Sequence, residues 1–138
     1  MKRDVVIRIS ALQRMGSEPE EEVKLLTEGT LEALEDRLIL SYAESELTGL
    51  EGTRTSFHME KDRVTLLREG ATRSRMVFCV GEEETSLYDM GFGALMIRLR
   101  TTRLQNEMTY EGGTLCVSYE ISVEEQHAGA ITYRIEVK

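Results

Sequence analysis

A chain of 138 residues, 41% hydrophobic and 30% charged, is long enough to bury one core and too apolar to be disordered. Its 25 acidic and 17 basic side chains leave a formal net charge of −8, which opposes a general role on DNA, RNA or anionic lipid. The longest apolar runs, such as Val5-Val6-Ile7 and Ala94-Leu95-Met96-Ile97, fall far short of the roughly 20 residues that a membrane-crossing helix requires, so neither a membrane nor a nucleic-acid partner is expected.

Asp4 and Arg8 interrupt the stretch after Lys2 and Arg3 before the hydrophobic region of a secretory signal could form. A cytoplasmic location is therefore expected. Cys79 and Cys116 stand far apart, and reduced thiols are the default for that compartment.

Along the chain the dominant signal is period-two alternation, which places every second side chain on one face of a sheet. Val5, Ile7 and Ile9 begin it. It returns at Leu38, Leu40, Tyr42; at Val64, Leu66; at Met76, Phe78, Val80; and at Leu95, Ile97, Leu99. The longest tracts are Leu115, Val117, Tyr119, Ile121, Val123 and Ile131, Tyr133, Ile135, Val137. Between the tracts lie turn residues at 49–52, 60–62, 69–71, 81–83, 89–93, 112–113 and 126–129. These gaps allow tight hairpins and leave no room for a crossover helix.

Ser17 to Arg37 is ambiguous. Ser17 and Glu20 have capping-box spacing, Pro19 suits a first turn, and Val23 with Leu26 fits helical spacing. Thr27, Gly29 and Thr30 are poor helix-interior residues, and Leu34-Glu35-Asp36 can turn into a following strand, so a hairpin competes. The expected fold is all-β: one domain over residues 1–138, a single antiparallel, largely meander sheet of eight to ten short strands. Such a sheet must close, or nearly close, into a barrel or fold into a sandwich to hide its edges, and the barrel is preferred.

Few residues carry chemistry. His58 and His127 stand apart, with no C-x-x-C and no H-E-x-x-H, so no metal site is expected and both imidazoles read as solvated or singly hydrogen-bonded. There is no G-x-S-x-G, and Cys116 alternates out of phase with Leu115 and Val117, so no nucleophile is assigned. Gly91-Phe92-Gly93-Ala94 lacks the G-K-[ST] of a phosphate loop. Glu20-Glu21-Glu22, Glu82-Glu83-Glu84 and Glu124-Glu125 read as solvated strand ends. Arg98, Arg100 and Arg103 read as a solvated outer face, with a small anion stripe as the competing reading. No cofactor is expected.

Polar residues in phase with apolar ones are more informative. Glu44 and Glu46 continue the Leu38, Leu40, Tyr42 series, and Arg68 continues Val64 and Leu66. Each would point inward if its strand stays regular, where an isolated ion costs several kcal/mol (about 3 or more) unless paired, hydrogen-bonded or hydrated. Thr53 and Thr55 belong to a tract polar on both faces, as expected of a wall beside a water-filled mouth. These groups either close one barrel end, with a Glu–Arg pair setting register, or line a ligand site.

Several stretches together resemble the bacterial YwiB-like family of small proteins, which belongs to the calycin (lipocalin-like) group of β-barrels. They are Thr27-Glu28-Gly29-Thr30, Tyr42-Ala43-Glu44-Ser45-Glu46, Thr48-Gly49-Leu50-Glu51-Gly52-Thr53-Arg54-Thr55, Arg63 through Gly70, Met76-Val77-Phe78 and Gly112-Gly113. The resemblance spans nearly the whole chain and is most specific over E-x-x-x-T-G-x-E-G-T. It implies that Glu21 to Leu34 is a strand leading into a hairpin. It implies no activity, so no catalytic residue is carried over.

Three functions compete on this reading. The first is a binding barrel whose mouth is lined by Glu44, Glu46, Thr53 and Thr55. Arg68, Tyr88 and Tyr119 complete the lining, and the ligand is a small polar or amphipathic molecule, a fatty acid being one case in which Arg68 meets the carboxylate. The second is a protein-interaction module with a filled core. The third is an enzyme using Glu44 or Glu46 as a general acid or base. A homo-oligomer is compatible with all three.

Overall fold

The alternation is realised as ten antiparallel strands in the computed structural model, which describes residues 1–89, 93–124 and 126–138. They are β1 (Lys2–Met15), β2 (Glu21–Ala33), β3 (Leu38–Ala43), β4 (Thr53–Met59), β5 (Val64–Gly70), β6 (Ser74–Phe78), β7 (Glu83–Asp89), β8 (Ala94–Thr109), β9 (Gly112–Val123) and β10 (Gln126–Val137). The order β6-β5-β4-β3-β2-β1-β10-β9-β8-β7 is a meander in which the first and last strands meet. Val6 and Lys138 exchange two backbone hydrogen bonds of 3.0 Å there. At the other seam, between β6 and β7, the Cys79 N–H donates to Thr101 Oγ1 at 3.1 Å, linking the end of β6 to β8. The sheet is a nearly closed barrel.

Glu21–Ala33 is a strand, so the helical spacing around Val23 is overruled by the β1 ladder, which runs unbroken from Lys2↔Glu32 to Gln13↔Glu21. The strands are not uniformly short: β1 has 14 residues and β8 has 16. Two bulges let long strands coil around the barrel. One extra residue, Thr102, falls between the pairs Thr101↔Tyr119 and Arg103↔Ser118, and Ala128 does the same in β10. Residues 126–129 are thus a bulged strand rather than a turn, and Gly112-Gly113 opens β9 rather than forming the loop before it. Across Thr102 the buried positions change phase, from Ile97, Leu99 and Thr101 to Met108, with Leu104 and Asn106 half-buried between.

The lumen is stacked in rungs. Leu38, Met59, Val64 and Phe78 are paired side by side across β3 to β6, and Leu40, Phe57, Leu66 and Met76 form the next rung. Opposite them, Ile7, Leu115, Val117, Ile135 and Val137 are buried on β1, β9 and β10. Rings fill the centre: Phe78 lies 4.8 Å from Tyr119, which stacks on Tyr133 at 6.1 Å, and Phe57 meets Tyr133 edge-on at 6.3 Å. One end is drawn shut by the Arg3 guanidinium on the Tyr110 carbonyl (2.8 Å) and the Asn106 amide on the Glu60 carbonyl (3.2 Å).

Where β3 leaves β2, Gly29 lies so close to its neighbours that a Cβ would collide with the Ser41 carbonyl oxygen and crowd Ile7 Cδ1 at 2.7 Å. Backbone cannot yield as a side chain does, so Gly29→Ala should destabilise the barrel by about 1–3 kcal/mol, read as a lower urea midpoint. An unchanged midpoint would show that β3 has room to move away.

Candidate functional site

Above the two apolar rungs the chemistry changes. Tyr42, Thr55, Arg68 and Ser74 form the third rung across β3 to β6, through the pairs Tyr42↔Thr55, Thr55↔Arg68 and Arg68↔Ser74. Glu44 follows β3 directly, its N–H bonded to the Thr53 carbonyl at 2.8 Å, and it turns inward at 8% exposure. Its Oε2 accepts a 2.6 Å hydrogen bond from the fully buried Thr55 hydroxyl. The carboxylate is therefore held by a hydroxyl, and not by the Arg68 guanidinium of the expected register-setting Glu–Arg pair. Arg68 reaches across the lumen instead, its Nη2 donating to the Tyr133 hydroxyl on β10 at 3.5 Å.

Three polar atoms of this group are enclosed without a hydrogen-bond partner: Glu44 Oε1, Arg68 Nε and Ser74 Oγ. Such atoms are rare because each forfeits its hydration, about 1–3 kcal/mol and more for an ion. One acceptor, one cationic donor and one hydroxyl that can do either thus face inward in a single layer.

The surroundings bias the protons. Burial, reinforced by the Glu44 carboxylate, pushes the Tyr42 phenol well above its ordinary value, so it stays protonated. Tyr119 is raised in the same sense by burial and by neighbouring Tyr133. Burial acts to strip the Arg68 proton, but Tyr133, Tyr42 and Glu44 outweigh it, and the guanidinium holds its charge more firmly than a free one. The layer therefore offers one fixed cation, one carboxylate and neutral phenols.

The residues expected at the mouth divide. Glu44, Thr55 and Arg68 meet in the layer. Thr53 is buried beside it, but its Oγ1 is taken by the Thr72 N–H at 3.1 Å. Tyr119 is buried deeper, among the aromatic rings. Glu46 does not point inward: β3 ends at Ala43, and Glu46 opens a 3-10 turn over Glu46–Thr48 where it is exposed, because the regular strand that its phase assumed has ended. Tyr88 is paired with Leu95 in the β7–β8 ladder, and its side chain lies outside the described residues, as do Gly91 and Phe92. Tyr42, Ser74 and Tyr133 complete the layer although sequence reasoning passed them over. Tyr42 and Ser74 share inward phase with Glu44 and Met76, a signal that could have found them.

Arg100 pairs with Glu120 on the outer wall at 3.0 Å, and Cys116 lies half-buried out of phase with Leu115 and Val117. Among the described residues no three His, Cys, Asp or Glu groups converge as a metal site would require, and no helix is long and apolar enough to cross a membrane. A groove of about 620 Å³ lies where β3 leaves β2, lined by Glu28, Thr30, Ala43, Arg54 and Lys138, among others.

Comparison with known proteins agrees with this architecture. The model of a domain of unknown function, DUF1934, matches residues 7–135. Over 118 residues the chain is 26% identical to the uncharacterized beta-barrel protein YwiB of Bacillus subtilis (strain 168), covering 83% of this chain and 82% of that protein. The crystal structure of the YwiB protein from Bacillus subtilis superposes with a TM-score of 0.85 at 21% identity, over 99% of this chain and 93% of that one. That superposition establishes the shared barrel.

Removing the hydroxyl that holds Glu44 tests the geometry of the layer. Thr55→Val would remove the hydroxyl bonded to Oε2 of this buried carboxylate and should cost about 1.5–3 kcal/mol in denaturant unfolding. A variant as stable as the parent would mean that Glu44 is satisfied by other means.

Proposed function

The chain belongs to the DUF1934 domain family, and we propose that its barrel is a receptor for a small polar or amphipathic molecule seated on the Glu44–Arg68 layer. The observation that supports this reading is the coincidence of Glu44 Oε1, Arg68 Nε and Ser74 Oγ in one layer, each enclosed and without a partner. A ligand that accepts from the guanidinium and donates to the carboxylate would satisfy the ions together, and the apolar rungs beneath would carry its hydrocarbon part. A fatty acid supplies the acceptor alone, so a molecule that also carries a hydroxyl or amine suits the layer better. The unpaired, half-buried thiols of Cys79 and Cys116 fit a reducing compartment, and the cytoplasm belongs to this proposal.

A second reading draws on a different observation. The contacts among Phe57, Phe78, Tyr119 and Tyr133 cross the lumen, as they would in a filled barrel that serves only as a scaffold for protein interaction. The two readings differ in what Arg68 does.

Thermal-shift measurements with hydroxy acids, amino acids and fatty acids, followed by native mass spectrometry, separate them. The receptor reading expects at least one of these compounds to raise the melting temperature by several degrees, and expects Arg68→Met to abolish that shift while keeping the β-sheet circular dichroism of the parent. No binder in the panel, or equal binding by the variant, contradicts it.

A further inference from the structure

The charges of the polar layer select among the molecules that could occupy it. Among the described residues Glu44 is the one charged residue that is buried outright, and Arg68 Nε is the one enclosed cationic donor without a partner. Tyr42 and Tyr119 add no charge, because burial holds both phenols protonated. One anion and one cation leave the layer neutral.

An occupant with a net charge upsets that balance where the ions are shielded from water, whereas a neutral molecule with separated opposite charges preserves it. A fatty acid or a hydroxy acid brings a carboxylate alone and sets a second anion beside Glu44. A simple amine sets a second cation beside Arg68. Only a zwitterion meets each ion with its opposite.

Donors and acceptor also lie on separate sides. Arg68 and Ser74 are register partners on β5 and β6, so the unpartnered Nε and Oγ stand side by side and can donate to the two oxygens of one carboxylate. Glu44 follows β3, two strands away, and with its Oε2 taken by Thr55 at 2.6 Å it keeps Oε1 to accept from an ammonium. An ammonium and a carboxylate on one carbon leave the rest of the molecule free to enter the apolar rung of Leu40, Phe57, Leu66 and Met76. Charges at opposite ends of a chain would instead lay hydrocarbon across the ions.

We infer that the ligand of this layer is a free α-amino acid with an apolar side chain, its carboxylate on Arg68 and Ser74 and its ammonium on Glu44 Oε1. The inference rests on the receptor reading above and narrows it to one class. Glu44 is the residue that turns simple acids away, since such a ligand leaves Oε1 unpaired beside a like charge.

Isothermal titration of the full chain with leucine, methionine and phenylalanine tests this, each beside its 2-hydroxy acid, its deaminated acid and its decarboxylated amine. At least one amino acid should bind about tenfold or more tighter than its own analogues. Glu44→Gln makes the layer cationic, so the 2-hydroxy acid should then outbind the amino acid. Arg68→Met makes it anionic, so the amine should. Ions with a merely structural role would weaken every ligand together and leave the order unchanged. The two variants are independent, and one that loses the parent's sheet dichroism leaves the other to decide. A parent that prefers a hydroxy acid or a fatty acid overturns the inference while the receptor reading stands, and a parent that binds nothing overturns both. Variants that keep the parent's order overturn the assignment of the two ions.

Discussion

A buried Glu44 carboxylate and a half-buried Arg68 whose Nε is enclosed, set above two hydrocarbon rungs, form the constraint around which this barrel is arranged. Desolvating either ion costs several kcal/mol (about 3 or more), and only close polar partners offset it. The Thr55 hydroxyl at 2.6 Å answers part of the cost at Glu44, and the Tyr133 hydroxyl at 3.5 Å answers less of it at Arg68. Neither satisfies its ion fully. A layer serving stability alone would be better built from leucine, because well-packed apolar residues replace buried ion pairs without loss and often with gain. The two rungs below already do that work with Leu40, Phe57, Leu66 and Phe78. The ions are thus where stability is surrendered, as it is in sites that bind.

How much of this could be read from the sequence depended on phase. Period-two alternation is local, so the inward face of β1, β3, β5, β9 and β10 follows from the residues themselves, and with it the inward direction of Glu44 and Arg68. Height along the barrel is not local. Tyr133 meets Arg68 because β1 joins β10 and the staggered ladders carry that pairing around the cylinder, which no window of sequence contains. Phase also fails where a strand ends or bulges. Glu46 kept the phase of Tyr42 on paper but lies beyond the last residue of β3, and Thr102 shifts the inward set of β8 by one residue. Helical spacing at Val23 and Leu26 was a true local signal that lost to the β1 ladder; those side chains are 39% and 64% exposed, so no helix face is buried there.

The meander topology ties the interior to the exterior. Joining β1 to β10 protects both chain ends, and the Cys79–Thr101 hydrogen bond ties the β6 seam to β8. Closure is incomplete at the β6–β7 seam, where the order of hydrogen-bonded strands begins and ends, and β2 also outruns β3: its residues 21–29 precede the first β2–β3 pair. The splay that exposes the β2 edge therefore lies beside Gly29, which must stay small for β3 to approach, and one rung from Tyr42.

The most direct test of the central claim is a crystal structure of protein purified without added ligand, inspected for density among Glu44 Oε1, Arg68 Nε and Ser74 Oγ. The account predicts continuous density larger than a water molecule that bridges the carboxylate and the guanidinium. A dry layer with Glu44 and Arg68 paired directly, or one holding isolated waters alone, would contradict it.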